Sequence, residues 1–247
     1  MSHDDDLWEQ HAGWWQAEFT DGADVEYEEQ ILPLAAQLLQ GYESILDLGA
    51  GEGQIARLLA AQNADARIVG FDATIAQMAT AADRAGGPRY GVADAAAIPS
   101  PDGAFDAVLA CLVFEHIDEM ERAVGEVARV LRVGGRFALF LNHPILQTPG
   151  SGWIDDHTVD PPEQYWRLGP YLAESSIVEE VQKDVFIPFV HRPLSRYINT
   201  LARHGLLLRE MHEPSPPLGF QEKSAFFAAA AAFPRLLVLV CEREGDS

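Results

Sequence analysis

The stretch ILDLGAGEGQIAR, residues 45–57, decides the fold. An apolar pair, Ile45-Leu46, leads into Asp47 and Leu48, and glycines then stand at every second position: Gly49, Gly51 and Gly53. A helical pattern starts at Gln54. This order reads as a buried parallel strand, a tight turn and a helix N-terminus, the opening of a nucleotide-binding βαβ unit. Glycine suits the turn because the backbone visits positive φ and a ligand can approach where no Cβ stands.

Which ligand the turn serves depends on its details. The hydride-transfer fingerprint G-x-G-x-x-G needs a glycine at position 54, where this chain has Gln54. The acid two places before the first glycine is also foreign to that pattern. An Asp-x-Gly-x-Gly-x-Gly turn resembles motif I of the class I S-adenosylmethionine (SAM) dependent methyltransferases. That resemblance implies SAM as cofactor and S-adenosylhomocysteine as product. It places Asp47, Gly49, Ala50, Gly51, Gly53 and Gln54 around the cofactor.

Three further segments extend the resemblance. ARIVGFD (66–72) reads as a second strand ending in Asp72, 25 residues beyond Asp47. Ligands of doubly wound sheets bind outside the carboxyl ends of the strands, and a carboxylate there can accept hydrogen bonds from ribose hydroxyls. The alternative reading of Asp72 is a helix cap for 74–84. GVADAAAIP resembles the family's adenine motif, which implies that Asp94 accepts from the exocyclic amine and that Ala95 contacts the ring. The fourth strand is read over 104–114, a helix over 118–132, and LRVGGRFALFLNHP (131–144) resembles the family's entry to a fifth strand. Ala73, Cys111 and Trp15 complete the expected cofactor contacts. The resemblance covers residues 40–144 and implies a seven-stranded α/β sheet, Rossmann-like, of order 3-2-1-4-5-7-6 with the last strand antiparallel and helices on both faces.

The expected organisation is one domain over 1–247: N-terminal cap helices (1–40), a SAM-binding core (41–144), a substrate lid (145–190) and the rest of the sheet (191–247). Trp8, Trp14, Trp15 and Phe19 near the N-terminus read either as a packing stripe or as a flap over the cofactor. Residues 145–189 are rich in Pro, Gly and aromatics, and a connection this long in a compact domain is usually functional or disordered. Its aromatic content argues against disorder. It is read as a lid with one short helix, followed by a helix at 191–204, a strand at 206–212, an alanine-rich stretch at 224–233 and a last strand at 236–242.

Composition narrows the partners. A net charge of −21 argues against a nucleic-acid surface, which needs Lys and Arg to displace counterions. The acidic N-terminus has no apolar signal region, and the longest apolar run, 225–233, is too short to span a bilayer. Cys111 and Cys241 sit in apolar strand-like runs and read as buried thiols in a reducing cytoplasm. The expectation is a cytoplasmic protein, monomer or homodimer, acting on a small molecule.

Methyl transfer rests heavily on alignment, and an unactivated hydroxyl acceptor also benefits from a general base. Of the eight histidines, His143 stands at the tip of the fifth strand, before Pro144, and is the expected base. His116 at the tip of the fourth strand, Trp153, Tyr165 and His191 are expected at the substrate. The loop Asp155-Asp156-His157 reads as a solvated turn, and no metal site is expected, because adjacent loop residues seldom all face one ion. The motifs resemble the broad small-molecule group called methyltransferase type 11. The N-terminal pattern resembles an actinobacterial sub-group, which points to a sugar O-methyltransferase acting on a mannoside in polysaccharide biosynthesis. An aromatic lid also suits a phenol, quinone or polyketide. Two other classes stay open: a SAM-binding protein without catalysis, and a dinucleotide oxidoreductase.

Overall fold

The computed structural model describes residues 3–223 and 230–245. The chain opens with helix α1 (His3–Phe19), a π-helical turn (Tyr27–Ile31) and α2 (Leu32–Leu38). Strand and helix then alternate: β1 (Ser44–Leu48), α3 (Gln54–Gln62), β2 (Arg67–Asp72), α4 (Ile75–Arg84) and β3 (Arg89–Val92). The second half of the core is β4 (Phe105–Cys111), α5 (Met120–Val130) and β5 (Leu131–Asn142). Two hairpins follow, β6 (Gly152–Asp156) with β7 (Glu163–Arg167), and β8 (Ser175–Gln182) with β9 (Val185–His191). The chain closes with α6 (Leu194–Arg203), β10 (Leu206–His212), the single turn α7 (Leu218–Gln221) and β11 (Leu236–Arg243).

Seven strands form one sheet in the order β3-β2-β1-β4-β5-β11-β10. The strands β1 to β5 pair in parallel, and β11 runs antiparallel to both β5 and β10. This is the expected order, with β11 as the seventh strand of the sheet. Both faces are covered, so the central strands are apolar on both sides. Phe105, Val108 and Ala110 of β4 face the α5 and α6 side with Phe137, Leu139 and Leu141 of β5. Ala107, Leu109 and Cys111 face the opposite side with Ala138 and Phe140, under α2 and α3. In α5 the buried Met120, Ala123, Val124, Val127 and Ala128 recur at helical spacing, which seats one stripe on the sheet.

Several expected boundaries move, each for a local reason. The fourth strand ends at Cys111 rather than 114, because Leu112 takes a left-handed φ of 55° and turns the backbone off the sheet. A single 3-10 turn, Phe114–His116, follows. The helix expected over 118–132 is Met120–Val130, since Leu131 is already extended and starts β5. The helix expected from 191 begins at Leu194, because β9 runs through His191 and Pro193 forms the helix boundary. The segment 145–190 holds no helix among the described residues; it is two hairpins. Residues 225–229 of the apolar run lie outside the described residues. No helix among the described residues is long and apolar enough to cross a membrane.

Candidate active site

The carboxyl ends of β1, β2 and β4 open onto a cavity of about 730 Å³, within the range of small-molecule sites. Its floor is the glycine turn after β1. The backbone N–H groups of Gly49 and Ala50 both donate to the Phe71 carbonyl of the neighbouring strand, at 2.7 and 3.0 Å. Gly49 has a φ of 75°, and a Cβ there would overlap the side chain of Val113 on the cavity wall. Gly53 has a φ of 84° at the start of α3, and a Cβ there would overlap Tyr90. Asp72, at the tip of β2, ties the rim together: Oδ2 accepts from the Gly51 N–H at 3.0 Å and Oδ1 from the Thr74 N–H at 2.8 Å.

Two carboxylates on this wall are left incomplete. Asp47 is 1% exposed, its Oδ2 has no protein partner, and burial pushes its carboxyl up to about 7 against one backbone N–H from Ala56. Glu52 is also 1% exposed; it binds Arg57 at 2.5 Å and Arg84 at 2.6 Å, yet its Oε1 has no partner. Buried carboxylate oxygens without donors are costly. Their position on a cavity wall fits a ligand that brings a cationic amino group, which SAM has at its amino-acid end. Of the residues expected at the cofactor, Trp15, Asp47, Gly49, Ala50, Gly51, Gln54, Asp72, Ala73, Asp94, Ala95 and Cys111 all line this cavity. Gly53 does not, and acts instead through the backbone at the start of α3.

A second cavity of about 320 Å³ lies beside the first. Trp8, Trp15, Phe19, Tyr27, Leu112 and His116 line both, so the two share a boundary. Helix α1 and the β8–β9 hairpin cover the second cavity together. They are joined by a hydrogen bond from the Trp14 indole to the Gln182 side chain, and by the Phe186 N–H donating to His11 Nε2 at 3.3 Å. Of the aromatic residues noted near the N-terminus, Trp8, Trp15 and Phe19 line both cavities and Trp14 the second alone.

His116 stands on the shared boundary. Its Nδ1 lies 2.7 Å from the Pro188 carbonyl of β9. A carbonyl only accepts, so Nδ1 carries the proton, and the Nε2 lone pair has no hydrogen-bond partner among the described residues. Trp8 and Phe189 pack edge-on against the ring at centroid distances of 4.8 and 5.6 Å. Burial pushes the imidazole down to about 4, so it is neutral at pH 7. Arg192, 4% exposed, holds the same turn in place by donating to the carbonyls of Phe114 (3.0 Å), Ile117 (2.6 Å) and Asp118 (3.0 Å).

His143 is placed differently from the expectation. Its ring is buried, Nε2 is 2.8 Å from Glu213, Nδ1 accepts from the Ile145 N–H at 3.2 Å, and it lines neither cavity. Trp153 and Tyr165 lie on the β6–β7 hairpin, where Trp153 packs against Trp166 and Phe233 and Tyr165 is 47% exposed. His191 is buried with Nε2 on the Tyr171 carbonyl at 2.8 Å. None of these three lines either cavity. Asp155 accepts from the Gln164 amide, and Asp156 from Thr158. Residues not anticipated at the site include Tyr27, Glu52, Asn142, Gln147, Glu179 and Phe189. For Glu179 a sequence signal existed: in SSIVEEVQ it falls in phase with Ile177 and Val181, on the apolar side of an alternating strand.

With this geometry established, comparisons with known proteins give the class. Residues 46–139 match the methyltransferase domain family. The chain is 37% identical over 122 residues to a demethylmenaquinone methyltransferase of Thermus thermophilus, covering 48% of this chain and 54% of that protein. It is 32% identical over 148 residues to the 27-O-demethylrifamycin SV methyltransferase of Amycolatopsis mediterranei, covering 55% and 52%. The chain spans about half the length of these relatives. A SAM-dependent methyltransferase from Mesorhizobium loti superposes with a TM-score of 0.73 at 24% identity, over 85% of this chain and 96% of that one. The fold is that of the class I SAM-dependent methyltransferases. Its centre, residues 46–139, matches a methyltransferase domain, and the cavity at the strand ends fits SAM as cofactor.

Proposed function

We propose that the protein transfers a methyl group from SAM to a hydroxyl of a small acceptor held in the second cavity, most simply a saccharide. The observation that carries this reading is His116: a neutral ring on the boundary of both cavities, with one nitrogen fixed by Pro188 and the other without a hydrogen-bond partner among the described residues. SAM supplies, when bound, a methyl group already activated by a sulfonium. The chain aligns the acceptor against it and excludes water through α1 and the β8–β9 hairpin. A hydroxyl is a poor nucleophile, and its proton would become strongly acidic as the new C–O bond forms, the methyl C–S bond breaks and S-adenosylhomocysteine leaves. The Nε2 of His116 accepts that proton; its low pKa makes it a weak base, which suffices because the hydroxyl turns strongly acidic only as the bond forms.

The acceptor class follows from the walls. Trp8, Trp14, Trp15, Phe19, Tyr27 and Phe189 supply flat apolar surface, and Asp24, Glu26, Glu179 and Asn142 supply hydrogen-bond acceptors. Aromatic faces with acceptors at their edges suit a ring that bears several hydroxyls. The same aromatic walls favour a second reading, a flat phenol or quinone, in keeping with the quinone acceptor in the name of the Thermus thermophilus relative. Transfer of labelled methyl from SAM to a panel of mannosides, glucosides, phenols and small carboxylic acids separates them. The first reading expects label on a saccharide hydroxyl. Label confined to phenols or acids would replace the acceptor class.

A further inference from the structure

One carboxylate on the wall of the second cavity has no role in the fold. Strand β8 alternates, and Ile177, Glu179 and Val181 fall on one side of it. Glu179 and Val181 line the cavity together with Ile187 and Phe189 of β9, and Glu179 pairs in register with Ile187. The Glu179 side chain is therefore set among apolar neighbours. It is half-buried, and no hydrogen bond or ion pair reaches it among the described residues. The next residue, Glu180, faces outward and caps the hairpin by accepting from the Asp184 N–H at 3.0 Å. A carboxylate held on an apolar, partly dry surface is unfavourable unless a ligand supplies donors.

The charges around it point the same way. Arg235 is the cavity's one guanidinium, and its Nε binds Glu26 at 2.8 Å while the group lies over the Phe220 ring at 4.6 Å. Asp24 already uses Oδ1 to accept the Tyr27 N–H at 2.9 Å. Glu179 is left as the wall carboxylate with both oxygens available. Burial also raises its pKa.

We propose that Glu179 is a specificity-determining residue of the acceptor cavity, which accepts hydrogen bonds from a hydroxyl or ammonium group of the acceptor and excludes acceptors that carry a carboxylate or phosphate. This rests on the reading of the second cavity as the acceptor site. Glu179 gives the acceptor a second point of attachment besides His116 and so fixes which hydroxyl meets Nε2. A hydroxyl donor satisfies one carboxylate oxygen, and an ammonium adds charge, so amine-bearing members of a series bind at least as well as neutral ones. An anion placed there meets an unscreened like charge.

The test uses two matched series, each with a neutral, an amine and an acid member: methyl mannoside, its amino-deoxy analogue and its uronate; and para-hydroxybenzyl alcohol, para-hydroxybenzylamine and para-hydroxybenzoate. Binding to the protein saturated with S-adenosylhomocysteine is read by tryptophan fluorescence, because Trp8, Trp14 and Trp15 line the cavity. In at least one series the wild type binds the neutral and amine members, with the acid about tenfold weaker or worse. Glu179→Gln, which keeps shape and thermal midpoint, removes the amine preference and most of the discrimination against the acid; Glu179→Lys makes the acid the best member. Equal binding of acid and amine by the wild type, an unchanged ranking in Glu179→Gln, or no binding in either series would overturn the assignment. The correct charge ranking in the phenol series alone would keep Glu179 and overturn the saccharide reading.

Discussion

Replacing Asp47 with Asn should make the protein without cofactor more stable and bind SAM more weakly. Asp47 is buried under the glycine turn with one oxygen unpartnered, and its carboxyl is raised from 3.8 to about 7, chiefly by burial. The unfolded chain releases this proton near pH 4, whereas the folded chain holds it to about 7. Between those values the folded state binds more protons, so stability falls as pH rises and levels off above about 7. At about 1.4 kcal/mol per pH unit, the cost of holding Asp47 ionised reaches at most about 4 kcal/mol. An Asn carries no charge but keeps a buried amide without a full set of partners, worth about 1–3 kcal/mol against it. The net gain for Asp47→Asn is then about 1–3 kcal/mol at pH 8; it shrinks as pH falls and becomes a loss of about 1–3 kcal/mol below about pH 3, where the wild-type carboxyl is protonated in both states. The ionised form is the one that receives a cationic amino group, so wild-type affinity for SAM should rise as pH passes upward through about 7. Losing that charge should weaken affinity by about tenfold or more. Denaturant melts across pH, with calorimetric titration of SAM at pH 8, measure both effects. A variant less stable than wild type at pH 8 with unchanged SAM affinity would refute the reasoning and make Asp47 a structural acceptor.

Three further outcomes follow from the same geometry. His116→Ala should lower turnover about 10²–10⁴-fold while S-adenosylhomocysteine affinity stays within about threefold; unchanged turnover on the identified acceptor would remove His116 as base. Arg192→Ala strips three carbonyls of their donor and should cost about 3–5 kcal/mol in denaturant melts. It should also lower turnover by freeing the turn that carries His116, and Arg192→Lys should recover part of both; a variant with full turnover would show that the turn holds itself. Gly49→Ala forces a side chain into a left-handed backbone and against Val113, costing about 2–4 kcal/mol and abolishing SAM-induced stabilisation in thermal shift.

The core was legible because its signals are local. Alternation of strand and helix patterns, the glycine turn and the acids at strand tips are all read within a few residues of one another. They place the strands and helices of the core, while the sheet order came from the family resemblance; the expected cofactor residues other than Gly53 meet at one cavity. The strand at Leu206–His212 was read to the residue, since Gly205 stops one element and an apolar run starts the next. The segment 145–190 was less legible because short hairpins carry little periodicity. Its four strands are five to eight residues long, and Trp153 and Trp166 pack on each other and line neither cavity.

The choice between His143 and His116 depended on direction, which sequence position alone does not carry. Both stand beyond strand ends. The left-handed turn at Leu112 sends His116 over the cavities, and contacts from β9 and Arg192, far along the chain, hold it there. His143 is instead held by Glu213, which follows β10. Such long-range partners appear only once the chain is folded. Glu179 was missed although it stands in phase with Ile177 and Val181, a signal that an alternating strand would have made readable.

The measurement that bears most directly on the central claim is a calorimetric titration of the purified protein with S-adenosylhomocysteine. The account predicts one site per chain, competition by SAM, and loss of binding in Gly49→Ala. Binding of NAD with no response to S-adenosylhomocysteine would contradict it, and would return the glycine turn to a dinucleotide enzyme.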